Sequence, residues 1–485
     1  MAAPLVPTEE LDATDRASVK RWLGTAVGSL VLAGLLSLLL VVGRLPGLHG
    51  LFTDPLFFKR CLVVHVDLAL IVWFYAFFVA LYLTVPTRSR PARPGRAASA
   101  VGAAGVVAML AAAGVPAAEP VLANYVPVVD AVPFVAGLVA FAFGVLLAVL
   151  GRRLLPSDER QEGFFPTPPA ARVGLRAGGI VLVLAALTFA ASVLVTSRGL
   201  PPEQYYELVA WGGGHVLQFA SVIGMLAAWL ILLGHALGRP PIGRRTAVVL
   251  FAILVAPTLI GPLLALGGTT HASMREGFTT MMRWGIFPPV LAFIALGTRS
   301  VWRAWRGGEL AHPLRDPRIL ATSVSVLLTL TGFVIGSLIR GSNTMIPAHY
   351  HASIGAVTVA YMGVTPLLLE RLGMSLPHGR RARKLVSVQP AMFGVGQVVF
   401  AIGFGMAGSA GAARKVYGSE QQIRSLSEQI GLGVMGVGGV VAVIGGVLFL
   451  WIVIRAWVVR TEARALQAEG ELQWKVAAES IRSRG

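Results

Sequence analysis

Long apolar runs separated by short polar or basic stretches set the pattern of this chain. A membrane helix needs roughly 20 apolar residues to cross the hydrocarbon core. Twelve stretches meet that length: about 22–43, 60–85, 98–118, 131–151, 174–197, 207–234, 246–267, 279–298, 319–340, 346–370, 388–410 and 430–457. They are numbered spans 1 to 12 in chain order. The pattern predicts an all-α integral membrane protein, a bundle of twelve transmembrane helices occupying 22–457. A polar N-terminal segment (1–21) precedes it and a polar, helix-like tail (458–485) follows, the latter reading as a solvated helical face. Residues 1–21 are polar and acidic, so no cleavable signal peptide is expected. No internal repeat of the transporter kind is visible.

Composition narrows the class. The chain is 55% hydrophobic and only 13% charged, whereas soluble domains carry about a quarter charged residues, so a soluble enzyme is excluded. One cysteine, Cys61, cannot build a disulfide framework and reads as a small apolar residue. The net charge of +18 would suggest nucleic acid in a soluble protein. Its placement gives another reason. With a cytoplasmic N-terminus, 31 of the 41 basic groups fall on the inner side, and every inner loop contributes. That bias is the positive-inside rule. It predicts a multi-pass protein of a bacterial-type plasma membrane, both termini cytoplasmic, with the lipid bilayer rather than nucleic acid as its partner.

The nine histidines divide into two groups. His49, His235, His312 and His378 fall in loops or at inner helix ends and need no special explanation. His65, His215, His271, His349 and His351 lie in a span or at its outer mouth. An ionisable group inside a membrane is costly and by default functional, though a single one is as readily a hydrogen-bonded core histidine. Five at one depth are a layer. His65 follows Lys59 and Arg60, roughly 8 Å inside at 1.5 Å per residue. His215 lies eight residues past Glu207 and His349 eight past Gly341. The string AHYHASIG places His349 and His351 two apart, about 200° around a helix, so they cannot share one metal but can serve two cofactors. Axial ligation of haem suits an apolar cavity, with a second axial ligand from another helix at the same depth, and His65 qualifies.

On these residues the chain resembles subunit I of the haem–copper oxidase superfamily, which includes the nitric oxide reductases. The resemblance runs through the twelve spans, the ordered histidines and PAHYHASIGAVTVAYMG. It implies that His65 and His351 ligate a low-spin b-type haem and His349 a high-spin haem. It also implies that His215, in WGGGHVLQF, and His271, 56 residues further on, hold copper or non-haem iron. The family places a propionate-binding basic pair after span 11, which Arg414 and Lys415 match. The implied reaction passes electrons from the low-spin to the high-spin haem and reduces O2 or NO near His215, His271 and His349. The implied donor is a c-type cytochrome or cupredoxin subunit, since one cysteine cannot attach a c-type haem here.

The chain also departs from that family. Copper is held there by three imidazoles, and this chain offers two. Oxidases carry a tyrosine joined to or near a copper-ligating histidine, yet Phe219 stands four residues after His215 and LLALGGTT before His271 has none. The nitric oxide reductase glutamate at that position is also missing, with Gln218 the nearest polar neighbour. Proton supply is thin: Asp67 is the one acid clearly within a span, read as a hydrogen-bonding group near the low-spin haem. Ser221, Thr258, Thr279 and Thr280 are the hydroxyls available for a water path, with helix packing as their ordinary role. Gly212–Gly214 is no phosphate loop and is expected to permit close approach of helix and haem. Two other functions therefore stand beside the oxidoreductase. One is a catalytically degenerate electron conduit or gas-binding subunit of a larger complex. The other is a histidine-using transporter, which the near-surface depth of span 10's pair disfavours.

Overall fold

The computed structural model describes residues 8–42, 54, 56–87, 95–152, 154, 162–414 and 425–482. Among them twelve helices are long and apolar enough to cross a membrane, one for each expected span. Most outrun their apolar cores. Span 8 covers Ala272–Arg306 and span 6 covers Pro202–Leu237, because polar residues at the ends continue the helix out of the hydrocarbon. The helix of span 12 runs on from Leu426 to Arg482, so the expected helical tail is its direct continuation.

Span 2 is not one regular helix. Phe57–Asp67 is α-helical, Leu68–Val72 is π-helical and Trp73–Tyr82 returns to α. A π segment inserts an extra residue into a turn and re-aims the side chains beyond it. Span 7 is broken too: Arg244–Val255, a 3₁₀ segment Ala256–Ile260, then Gly261–Leu266. Pro257 and Pro262 supply no backbone N–H there, so the α ladder cannot run through.

Burial identifies the centre of the bundle. In the most apolar part of each helix, 83% of residues are buried in span 6, 72% in span 10 and 67% in span 2, against 28% in spans 7, 8 and 11. The three central helices carry His215, His349, His351 and His65. Neighbours close around them through small residues. A Cβ on Gly137 of span 4 would sit 2.6 Å from the Gly105 carbonyl of span 3, so backbones meet where side chains would keep them apart.

A short antiparallel hairpin joins spans 3 and 4. Its strands β1 (Glu119–Val121) and β2 (Val128–Asp130) pair Glu119 with Asp130 and Val121 with Val128. Arg60, 1% exposed, ties this region to span 2. Its Nε donates to the Ala113 carbonyl at 3.0 Å, its Nη1 to Ala118 at 3.2 Å, and it pairs with Asp54. That hydrogen bond first, and the Leu56 backbone N–H second, hold the Asp54 carboxyl below the usual aspartate range.

Candidate functional site

Three of the expected ligands start from the same local chemistry. His65 places Nδ1 2.8 Å from the Ala33 carbonyl of span 1. His349 places Nδ1 2.7 Å from the Gly332 carbonyl of span 9, and His215 places Nδ1 2.7 Å from the Trp211 carbonyl one turn earlier in span 6. A carbonyl oxygen only accepts, so Nδ1 must carry the proton in each ring and Nε2 must carry a lone pair. Second-sphere acceptors of this kind fix tautomer and ring orientation in metal-ligating histidines.

Span 9 is cut to the shape of His349. A Cβ on Gly336 would lie 2.7 Å from His349 Nδ1, so only glycine leaves space for the ring. Ser353 donates to the His349 carbonyl at 3.0 Å. His351 points elsewhere, as two-residue spacing requires. Its ring lies 4.7 Å from Phe400 and 6.3 Å from Phe404 of span 11, centroid to centroid. His349 is turned toward span 9. This donor set suits haem: single imidazoles on spans 2 and 10, and one more with a fixed tautomer and a lone pair on Nε2.

The His215 side differs. The ring is 1% exposed and enclosed by Trp211 at 4.8 Å, Tyr125 at 4.5 Å and Phe278 at 5.8 Å between centroids. Nε2 lies 2.9 Å from the Tyr125 hydroxyl, so both ring nitrogens are engaged. Tyr125 sits between the hairpin strands, outside the spans. Burial first and Glu207 second push its phenol above the ordinary tyrosine range. His271 stands at the N-cap position of span 8 without a capping side-chain bond, is exposed, and lies against Gly268, whose φ is +113°, whereas the His215 ring is buried. Among the described residues no group of three or more His, Cys, Asp or Glu side chains gathers as a metal site.

Arg414 donates from Nε to the Ser342 hydroxyl at 2.9 Å, while Thr344 N–H bonds the Ala412 carbonyl at 3.0 Å. The loop after span 11 is thus stapled to the loop that starts span 10. Lys415 lies outside the described residues. Asp67 is fully buried, and neither carboxyl oxygen has a hydrogen-bond partner among the described residues. The hydroxyls suggested for a water path bond mostly to their own helices: Thr258 to Val255 and Thr279 to Arg275. Ser221 alone crosses between spans, 3.0 Å from the Tyr75 hydroxyl. Gly212, Gly213 and Gly214 receive the rings of Phe278, Phe189 and Tyr125, so the close approach they permit here is to aromatic side chains.

Tyr125 escaped the sequence because it stands 90 residues before His215 in an irregular loop, where no periodicity marks it. The carbonyls of Ala33 and Gly332 are backbone groups that no residue pattern announces. An uncharacterized protein of Rickettsia prowazekii (strain Madrid E) is 24% identical over 89% of this chain and 94% of its own length. An uncharacterized protein of Aquifex aeolicus (strain VF5) is 29% identical over 73% of this chain and 84% of its own. The family described as cytochrome c and quinol oxidase polypeptide I matches residues 17–459. Nearly the whole twelve-helix domain lies within that match, and the chain belongs to the cytochrome c and quinol oxidase polypeptide I family.

Proposed function

We propose that this chain is the haem-carrying subunit of a respiratory oxidoreductase, multi-pass in a bacterial-type plasma membrane with both termini cytoplasmic. Electrons arrive from a c-type cytochrome or cupredoxin subunit on the outer side, and O2 or NO is reduced. His65 and His351 would hold a low-spin b-type haem between spans 2 and 10, and His349 a high-spin haem. When bound, the haems supply one-electron transfer and an open iron position for a small gas.

The chain's own residues prepare the site. The Ala33 and Gly332 carbonyls accept hydrogen bonds from Nδ1–H of His65 and His349 and leave the lone pair on Nε2. Phe400 and Phe404 wall the His351 ring with apolar surface. Arg414 and Lys415, the next residue in sequence, would meet the carboxylates of haem propionates. The observation that carries the reading is the His349–Gly332 bond in a glycine-lined notch of span 9. The experiment is O2 and NO consumption by the intact complex with a reduced cytochrome donor. Consumption of either gas, abolished by His349→Ala, is expected; no consumption of either contradicts turnover.

A second reading is an electron-conduit or gas-binding subunit without turnover. It is favoured by one observation, the exposed His271 ring set against a buried His215 whose two nitrogens are both hydrogen-bonded. Carbon monoxide binding without O2 or NO consumption would select it.

A further inference from the structure

The residues expected to hold a second metal do not form a site for one. His271 is exposed and folded over its own turn, and His215 spends both nitrogens on hydrogen bonds. Nε2 of His215 has one lone pair, because its Nδ1 proton is committed to the Trp211 carbonyl. That lone pair can accept from a phenol or bind a metal, and not both at once.

The phenol is placed there by a built device. Asn124 holds Glu207 of span 6 twice, through its backbone N–H at 2.7 Å and its side-chain Nδ2 at 2.6 Å. The Tyr206 hydroxyl donates to Asp130 at 2.6 Å, which fixes the far end of the hairpin. Between these anchors Tyr125 takes φ +69°, a left-handed conformation that is uncommon for a bulky residue. Gly214 leaves open the space that the Tyr125 ring fills. Trp211 meets the same ring edge to face at 5.8 Å. A strained residue that its surroundings over-determine is a recurring mark of functional positions.

We propose that His215 is held by the Tyr125 phenol in place of a metal, and that Tyr125 is a positioning residue which fixes the His215 imidazole from the outer loop. Tyr125 acts through His215 on whatever binds at the high-spin haem, so the inference rests on the haem reading above. It places a tyrosine beside the span 6 histidine even though span 6 carries none at the expected position.

Metal analysis of the intact complex tests the first half. Protein from copper- and iron-supplemented cells, challenged with Cu(I) and with Fe(II), is expected to carry haem iron and any copper of the donor subunit, and no stoichiometric metal that His215→Ala removes. One extra metal per chain that His215→Ala removes would overturn the proposal. The second half is read in the infrared stretch of carbon monoxide on the reduced complex. Tyr125→Phe keeps the ring and removes the donor, so haem content should hold while the band shifts. His215→Ala should shift it too, and the double variant should add nothing beyond His215→Ala. An unmoved band in Tyr125→Phe with normal haem content would refute the positioning role. If the complex carries no haem, the haem reading fails, and the metal arm still judges the His215–Tyr125 pair.

Discussion

His349 and His215 begin alike and end differently. Each donates Nδ1–H to a carbonyl at 2.7 Å; Gly336 leaves space for the His349 ring, and Gly214 for the Tyr125 ring that meets His215. On the span 10 side the carbonyl belongs to another helix, so the ring is braced from outside and Nε2 is left as a lone-pair donor. On the span 6 side the carbonyl is one turn away in the same helix, and the outer bracing comes through Nε2 from Tyr125. The same imidazole keeps an open lone pair on Nε2 in one setting and accepts a hydrogen bond there in the other. Residue type alone does not assign the role; the partner of the second nitrogen does.

The comparison breaks most visibly if the span 2 and span 10 pair is cut. His65→Ala and His351→Ala should each abolish the same low-spin haem, halving the haem of a two-haem subunit by pyridine haemochrome assay. Different residual spectra in the two variants would show that the rings do not share one haem. Gly336→Ala is milder and more local. Its Cβ would meet His349 Nδ1 at 2.7 Å, and overpacking of this kind costs about 1–3 kcal/mol. Weakened retention of the high-spin haem, with the low-spin haem kept, is expected from the optical spectrum. The smallest effect belongs to His271→Ala. An exposed ring over its own turn should leave haem content and spectra as in the unmodified chain, and any loss of haem or metal would restore His271 to the site.

The fold was legible because membrane helices announce themselves by length and apolarity, and all twelve spans coincide with helices. Helix ends were less legible. Hydropathy sees the hydrocarbon core, whereas residues such as Arg275, Glu276, Arg299 and Arg303 extend span 8 on both sides of it. The π segment of span 2 follows Asp67 with no glycine or proline to mark it. In the site, the histidine spacing of span 10 was readable because two residues on a helix must point apart. The groups that orient those histidines were not. Ala33 and Gly332 act through backbone oxygens, and Tyr125 reaches His215 only once the hairpin has folded against span 6.

His349, braced on Gly332, would present an open haem to a small gas while His65 and His351 close off another. The most direct test is the carbon monoxide difference spectrum of the reduced, purified complex, compared with His349→Ala and His351→Ala. A carbon monoxide shift is expected in the unmodified complex, with its loss in His349→Ala and its retention in His351→Ala. No shift in the unmodified complex, or a shift that survives His349→Ala, would contradict it.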